Sequence, residues 1–118
     1  MQTVSELRAA CQQLPGSAET FPFGLDTLVF KVGGRMYALV SLDQSPLTLS
    51  LKCDPLRADQ LRGQHPEIVP GYHLSKRHWN TLTLGGTLPD PLIAELLAHS
   101  YALMVGHLTR AQRAELGG

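Results

Sequence analysis

TLVFKVGGRMYALVSLDQSPLTLSLKC, residues 27–53, is the stretch that decides the fold. TLVFKV (27–32) and MYALVSL (36–42) are rich in β-branched and aromatic residues. Gly33-Gly34, followed by Arg35, separates them as a hairpin turn, because paired glycines accept the positive φ angles of tight hairpins. Asp43-Gln44-Ser45-Pro46 marks a second turn. In the third run Leu47, Leu49, Leu51 and Cys53 alternate with Thr48, Ser50 and Lys52. That period of two describes a strand with one face on a core and the other open. Three sequential strands with short turns make an antiparallel meander.

The flanks read as helices. Thr3 and Glu6 have capping-box spacing, and Val4, Leu7, Cys11 and Leu14 follow at helical intervals, predicting a helix over 4–14 that ends at Pro15-Gly16. Residues 17–26 read as an aromatic loop in which Phe21 and Phe23, around Pro22, are expected to plug the sheet edge. Asp54-Pro55 opens a short helix over 55–63 closed by Gly63, and residues 64–71 are expected to be irregular. Tyr72–Ser75 reads as a short strand. Residues 79–84 read as a firmer one, with Leu82 and Leu84 on one face and Trp79, Thr81 and Thr83 on the other. Asp90-Pro91 repeats the cap-plus-proline signal before a helix over 91–105, whose stripe is Ile93, Leu96, Leu97, Tyr101 and Met104 and whose stop is Gly106. Thr109 and Gln112 open a last short helix.

The order α-βββ-α-ββ-α-α over residues 1–118 is that of a single α+β domain, a two-layer sandwich with an antiparallel sheet of about five strands. The first helix and the long helix near the C-terminus each carry one apolar stripe, so both are expected on one face of the sheet. The other face would then present Thr48, Ser50, Lys52, Trp79, Thr81 and Thr83.

Ten basic and ten acidic side chains cancel. This excludes a globally basic nucleic-acid binder, so any such role must come from a local patch. The charges are uneven. Residues 1–30 set Arg8 against Glu6, Glu19 and Asp26, whereas residues 52–79 set Lys52, Arg57, Arg62, Lys76 and Arg77 against Asp54, Asp59 and Glu67. Cys11 and Cys53 lie at apolar-patterned positions without the spacing of a disulfide framework or zinc knuckle, and are expected to be free and buried in a reducing compartment. No leader or membrane-spanning run is read, so the expectation is a cytoplasmic protein without membrane contact.

PGYHLSKRHWNTLTLGG (70–86) gathers His73, Lys76, Arg77 and His78 around the chain's one tryptophan, Trp79. Lys52, Lys76 and Arg77 are the residue types expected to contact phosphate, and Trp79 the one expected to stack on an exposed base. Lys31 and Arg35 flank the first hairpin turn as the tip of a ribbon would. His73 and His78 with Cys53 or Asp54 hold the residue types of a metal set, but a separation of five residues between the histidines matches no standard helix pair. No P-loop, dinucleotide fingerprint or nucleophile elbow is present, and no catalytic residue, metal or cofactor is expected. His99 and His107 lie on or just past the long helix, where its C-terminal dipole favours a cation.

PFGLDTLVFKVGGRMYALVSL (22–42), LKCDP (51–55), PGYHLSKRHWNTLTL (70–84) and SYALM (100–104) together resemble the MmcQ/YjbR family of small bacterial proteins. The shared motif positions are Pro22, Phe23, Gly24, Lys52, Asp54, Pro55, Gly71, Tyr72, Lys76, His78 and Trp79. The resemblance implies a two-layer fold with helices on an antiparallel sheet and a DNA-binding role, proposed for the family, through two wing-like hairpins; no enzymatic activity is established for the family. The sequence reading is therefore a small binding module that associates with DNA, weakly and with salt sensitivity, through Lys31, Arg35, Lys52, Lys76, Arg77, His78 and Trp79. The alternative is contact with a protein partner or a second copy through the open sheet face.

Overall fold

Residues 1–71 and 74–116 are described by a computed structural model. The chain runs α1 (Val4–Gln12), β1 (Ser17–Thr20), β2 (Thr27–Val32), β3 (Arg35–Ser41), β4 (Thr48–Lys52), α2 (Pro55–Gln64), β5 (Ile68–Pro70), β6 (Trp79–Thr83), α3 (Asp90–Gly106) and α4 (Arg110–Glu115). All strand pairs are antiparallel, in the order β1-β2-β3-β4-β6-β5. The meander and the two flanking helices stand where the sequence puts them, in an α+β two-layer arrangement.

The sheet has six strands among the described residues, not about five, because both edges recruit segments that lack a strand pattern. Ser17–Thr20, expected as loop, pairs with β2, and Ile68–Pro70, expected as irregular, pairs with β6. Of the expected 72–75 strand, Tyr72 and His73 lie outside the described residues, and Leu74 and Ser75 join no strand. Phe21 and Phe23 do not plug the sheet edge. They are 39% and 65% exposed on the β1–β2 connection.

Helix ends also depart from the pattern. Gly63 lies inside α2, one residue before its end, and α3 does end at Gly106 as expected, but neither glycine has the positive φ of a glycine stop. Asp90 is the first helical residue, not the cap, and the cap is Pro89. The Asp90 carboxylate is turned instead to the Met1 ammonium at 2.9 Å and to Gln2 Nε2 at 2.7 Å. At α4 the capping box is complete, with Gln112 N donating to Thr109 Oγ1 and Thr109 N to Gln112 Oε1. Thr3 caps α1 by accepting from Glu6 N at 3.2 Å.

Alternation sends Leu28, Phe30 and Val32 of β2, Ala38 and Val40 of β3, Leu49 and Leu51 of β4, and Leu82 of β6 to one face. There they join Leu7 and Cys11 of α1 and Ile93, Leu96, Leu97 and Met104 of α3 in one buried cluster. A fully buried leucine of this kind contributes about 2 kcal/mol of hydrophobic stabilisation. α2 joins the same face, since Asn80 Nδ2 donates to Ala58 O at 3.3 Å, and Leu116 beyond α4 packs beside Gly16 near Val32. The helices therefore share one side of the sheet, as their apolar stripes predict.

A bulge interrupts the alternation. Met36 pairs with Lys31 and Ala38 with Phe30, leaving Tyr37 as the extra residue of β3. Tyr37 and Ala38 are consequently both buried on the helix side. The Tyr37 hydroxyl bonds Ser17 Oγ at 2.5 Å, and its ring meets Tyr101 of α3 edge-on at 5.4 Å.

Candidate nucleic-acid interface

The register assigns each predicted basic residue a place. Lys31 opposes Met36, and Lys52 opposes Trp79. By parity these four point to the helix-free face, as one pair on β2 and β3 and another on β4 and β6. Arg35 opposes Val32 and so leaves the strand on the other side, at the base of the Gly33-Gly34 tip. Both of those glycines have positive φ, +56° and +78°, which is why the turn takes glycine twice.

Lys76, Arg77 and His78 lie in the turn that enters β6, at the same end of the sheet as the Gly33-Gly34 tip. Backbone bonds shape this turn: Trp79 N and His78 N both donate to Ser75 O, and Cys53 N donates to His78 O at 2.8 Å. Arg62 braces it from α2. Its Nε donates to Asn80 Oδ1 at 2.6 Å, and its Nη2 donates to the Trp79 carbonyl at 3.2 Å and to the Lys76 carbonyl. Lys76 Nζ reaches Gly71 O at 3.4 Å, and Arg77 is exposed beside Pro55, Leu56, Asp59 and Arg62. Sequence reading counted Arg62 only as a charge; its buried amide partner, Asn80, carried no signal in one dimension.

Trp79 corrects an expectation. The indole lies on the helix-free face but is only 8% exposed, so it offers little ring for a base to stack on. Gly71 is pressed against it: a Cβ there would stand 2.6 Å from the Trp79 Cβ. Ser50 and Thr81 continue that face and bond each other through their hydroxyls at 2.8 Å.

The zero net charge resolves into two ends. None of Lys31, Arg35, Lys52, Lys76 and Arg77 forms an ion pair among the described residues. Glu6, Asp26, Asp43, Glu67 and Asp90 gather at the opposite end, on segments 1–6, 21–26, 43–46, 65–67 and 84–90, which hold no Lys or Arg. Those segments are tied together by Leu42 N to Asp26 O (2.8 Å), Thr83 N to Glu67 O (3.0 Å) and Gln2 Nε2 to Leu88 O (3.2 Å). Among the described residues the Met1 ammonium is the cation that pairs there, with Glu6 and Asp90. Its bond holds the Asp90 carboxyl below its ordinary pKa, and the Gln2 amide does the same for Glu6.

Among the described residues no three of His, Cys, Asp and Glu converge, and no helix is long and apolar enough to cross a membrane. Cys11 and Cys53 are free and buried, and burial pushes the Cys11 thiol up to about 11.

The YjbR family model matches residues 12–103, which spans the sheet, the basic turn and most of α3. The chain is 35% identical over 111 residues to the uncharacterised protein YjbR of Escherichia coli K12, covering 94% of each. It is 40% identical over 62 residues to the uncharacterised YyaQ of Bacillus subtilis, covering 52% of this chain and 48% of that one. The crystal structure of Deinococcus radiodurans protein DR2400, with a DUF419 domain, superposes with a TM-score of 0.93 at 56% identity, covering 99% of this chain and 89% of that one. A protein from Pseudomonas syringae superposes at 0.75 with 25% identity, covering 86% and 98%. The motif spacing, the family match across the sheet and the shared architecture lead to one conclusion: the chain belongs to the YjbR family.

Proposed function

We propose that the protein associates with DNA through the basic end of its sheet. Lys31 and Arg35 flank one projecting tip, and Lys76, Arg77 and His78 form the second, with Lys52 between them. Three strand spacings separate β2 from β6, about 14 Å, comparable with the ~12 Å width of a B-DNA major groove. The observation that carries the reading is the separation of charge: Lys31, Arg35, Lys52, Lys76 and Arg77 share one end and form no ion pair among the described residues, although Asp59 lies beside Arg77, while five carboxylates gather at the other end. Trp79 serves in this reading as a buried support for Lys52, not as a stacking platform.

The test is fluorescence anisotropy of a labelled duplex across a salt series. Affinity should fall steeply with salt, because each phosphate contact releases counterions. Lys76→Ala with Arg77→Ala should reduce the slope of log K against log salt by about two while circular dichroism stays unchanged. Affinity that ignores salt, or a folded double variant that binds as well as the parent, refutes the reading. In that event contact with a protein partner through the helix-free face has Met36, Leu39 and the exposed Val69 in its favour.

A further inference from the structure

The β1–β2 connection exposes three large apolar side chains in five residues. Phe21 is 39% exposed, Phe23 65% and Leu25 83%. A cluster of this kind on a small domain marks a contact surface, and aromatic anchors dominate such contacts. The loop is not loose backbone: Gly24 N donates to Phe21 O and Thr27 N to Gly24 O, with Gly24 at a φ of +110°.

Its surroundings select the occupant. The loop belongs to the acidic end, with Asp26 inside the same connection and Asp43, Glu67, Glu6 and Asp90 on the neighbouring segments. Nucleic acid is repelled there. A symmetric loop-to-loop dimer would bring two acidic ends together, which like-charge repulsion opposes. The fitting partner is cationic and carries an apolar recess.

This chain has such a surface at its other end. Pro15, Tyr101, Val105 and Leu116 line an open apolar cleft of about 360 Å³ with Arg113 on its rim. The Tyr101 hydroxyl donates to Pro15 O and so fixes one wall. Arg110 and Arg113 outnumber Glu115 on α4, and Lys31 and Arg35 flank the nearby hairpin tip.

We propose that the Phe21–Leu25 loop of one molecule docks into the Pro15–Tyr101–Val105–Leu116 cleft of a second copy, head to tail. The contact is heterologous, so each copy keeps a free loop and a free cleft and assembly continues with concentration. The contact is small beside a standard interface, so it is weak and transient. It does not depend on the DNA reading.

Sedimentation of the full chain without DNA, from low micromolar to near-millimolar protein, tests this. The weight-average mass should rise from the 12.9 kDa monomer towards and past a dimer, and less so at high salt. The loop variant (Phe23→Ser with Leu25→Ser) and the cleft variant (Val105→Glu) should each stay monomeric. Their mixture should form one-to-one pairs, since each supplies the half the other lacks. Should Val105→Glu fail to fold, Arg113→Glu on the exposed rim takes its place. A parent chain that stays monomeric throughout, association that survives either variant, or a mixture that does not pair overturns the proposal.

Discussion

The Ser100 hydroxyl, buried in the middle of α3, accepts the Lys52 amide at 3.0 Å and donates to the Tyr37 carbonyl at 2.6 Å. The two backbone groups belong to adjacent strands beyond the last register pair, Ala38 with Leu51, where the bulge at Tyr37 has displaced the ladder. A helix side chain thus completes the sheet at the row that carries Lys52.

Removing that hydroxyl leaves a strand N–H and a strand C=O without their partner. Ser100→Ala should destabilise the fold by about 2 kcal/mol, the scale for unsatisfied buried polar groups. A urea midpoint lowered at constant m-value is the expected observation; an unchanged midpoint would show that the strands close up by themselves.

Arg62 is the second anchor of the site. Arg62→Met keeps the apolar stem but strands Asn80 Oδ1 and the Lys76 carbonyl, and leaves the Trp79 carbonyl with Gly71 N alone. A loss of about 2 kcal/mol is expected, with faster amide exchange at Cys53, whose partner is His78 O in the same turn. Retained protection at Cys53 would show that the backbone bonds alone hold the turn.

Two glycines should respond with opposite sign. At Gly71 a Cβ meets the Trp79 Cβ at 2.6 Å and the Trp79 carbonyl oxygen at 3.0 Å, neither of which a rotamer change can move. Gly71→Ala should cost about 1–3 kcal/mol. Gly63 lies inside α2 with nothing within 4 Å of a Cβ, and Gly63→Ala should stabilise by about 0.5–1 kcal/mol. Thermal unfolding of the two variants beside the parent checks both signs.

Alkaline pH should unfold the protein through its buried acids. The Cys11 thiol is pushed up to about 11 from an ordinary 9.0, by burial above all. A folded pKa raised above the unfolded value means that stability is complete below pH 9 and is lost as pH climbs towards 11. Burial raises Tyr37 as well and extends the loss to higher pH. Cys11→Ala should flatten the decline between pH 9 and 11 in a urea-midpoint series; an unaltered decline would assign it to other groups. For the same reason the Cys11 thiol should resist alkylation at neutral pH until the chain is unfolded.

The central elements were legible in one dimension because their signals are local. Gly33-Gly34 dictates its own turn, the Leu47–Cys53 alternation its own faces, and the Thr109–Gln112 pair its own cap. The edges were not. Ser17–Thr20 is polar, and Ile68–Pro70 is three residues ending in proline. An edge strand is made by its neighbour's hydrogen bonds more than by its own composition. Average aromatic behaviour puts Phe21 and Phe23 inward, whereas they stand outward.

Of the candidate site, the sequence named the cations but not their arrangement. What it determined alone was the two-layer fold with the helices on a common face, because periodicities of two and 3.6 residues are written in consecutive side chains. Only the tertiary structure decided that Trp79 is buried, that Arg62 braces the basic turn through Asn80, and that a neutral chain is cationic at one end and anionic at the other. Each of these depends on residues brought together from distant parts of the chain by strand register, and register is a property of paired strands that no single strand contains.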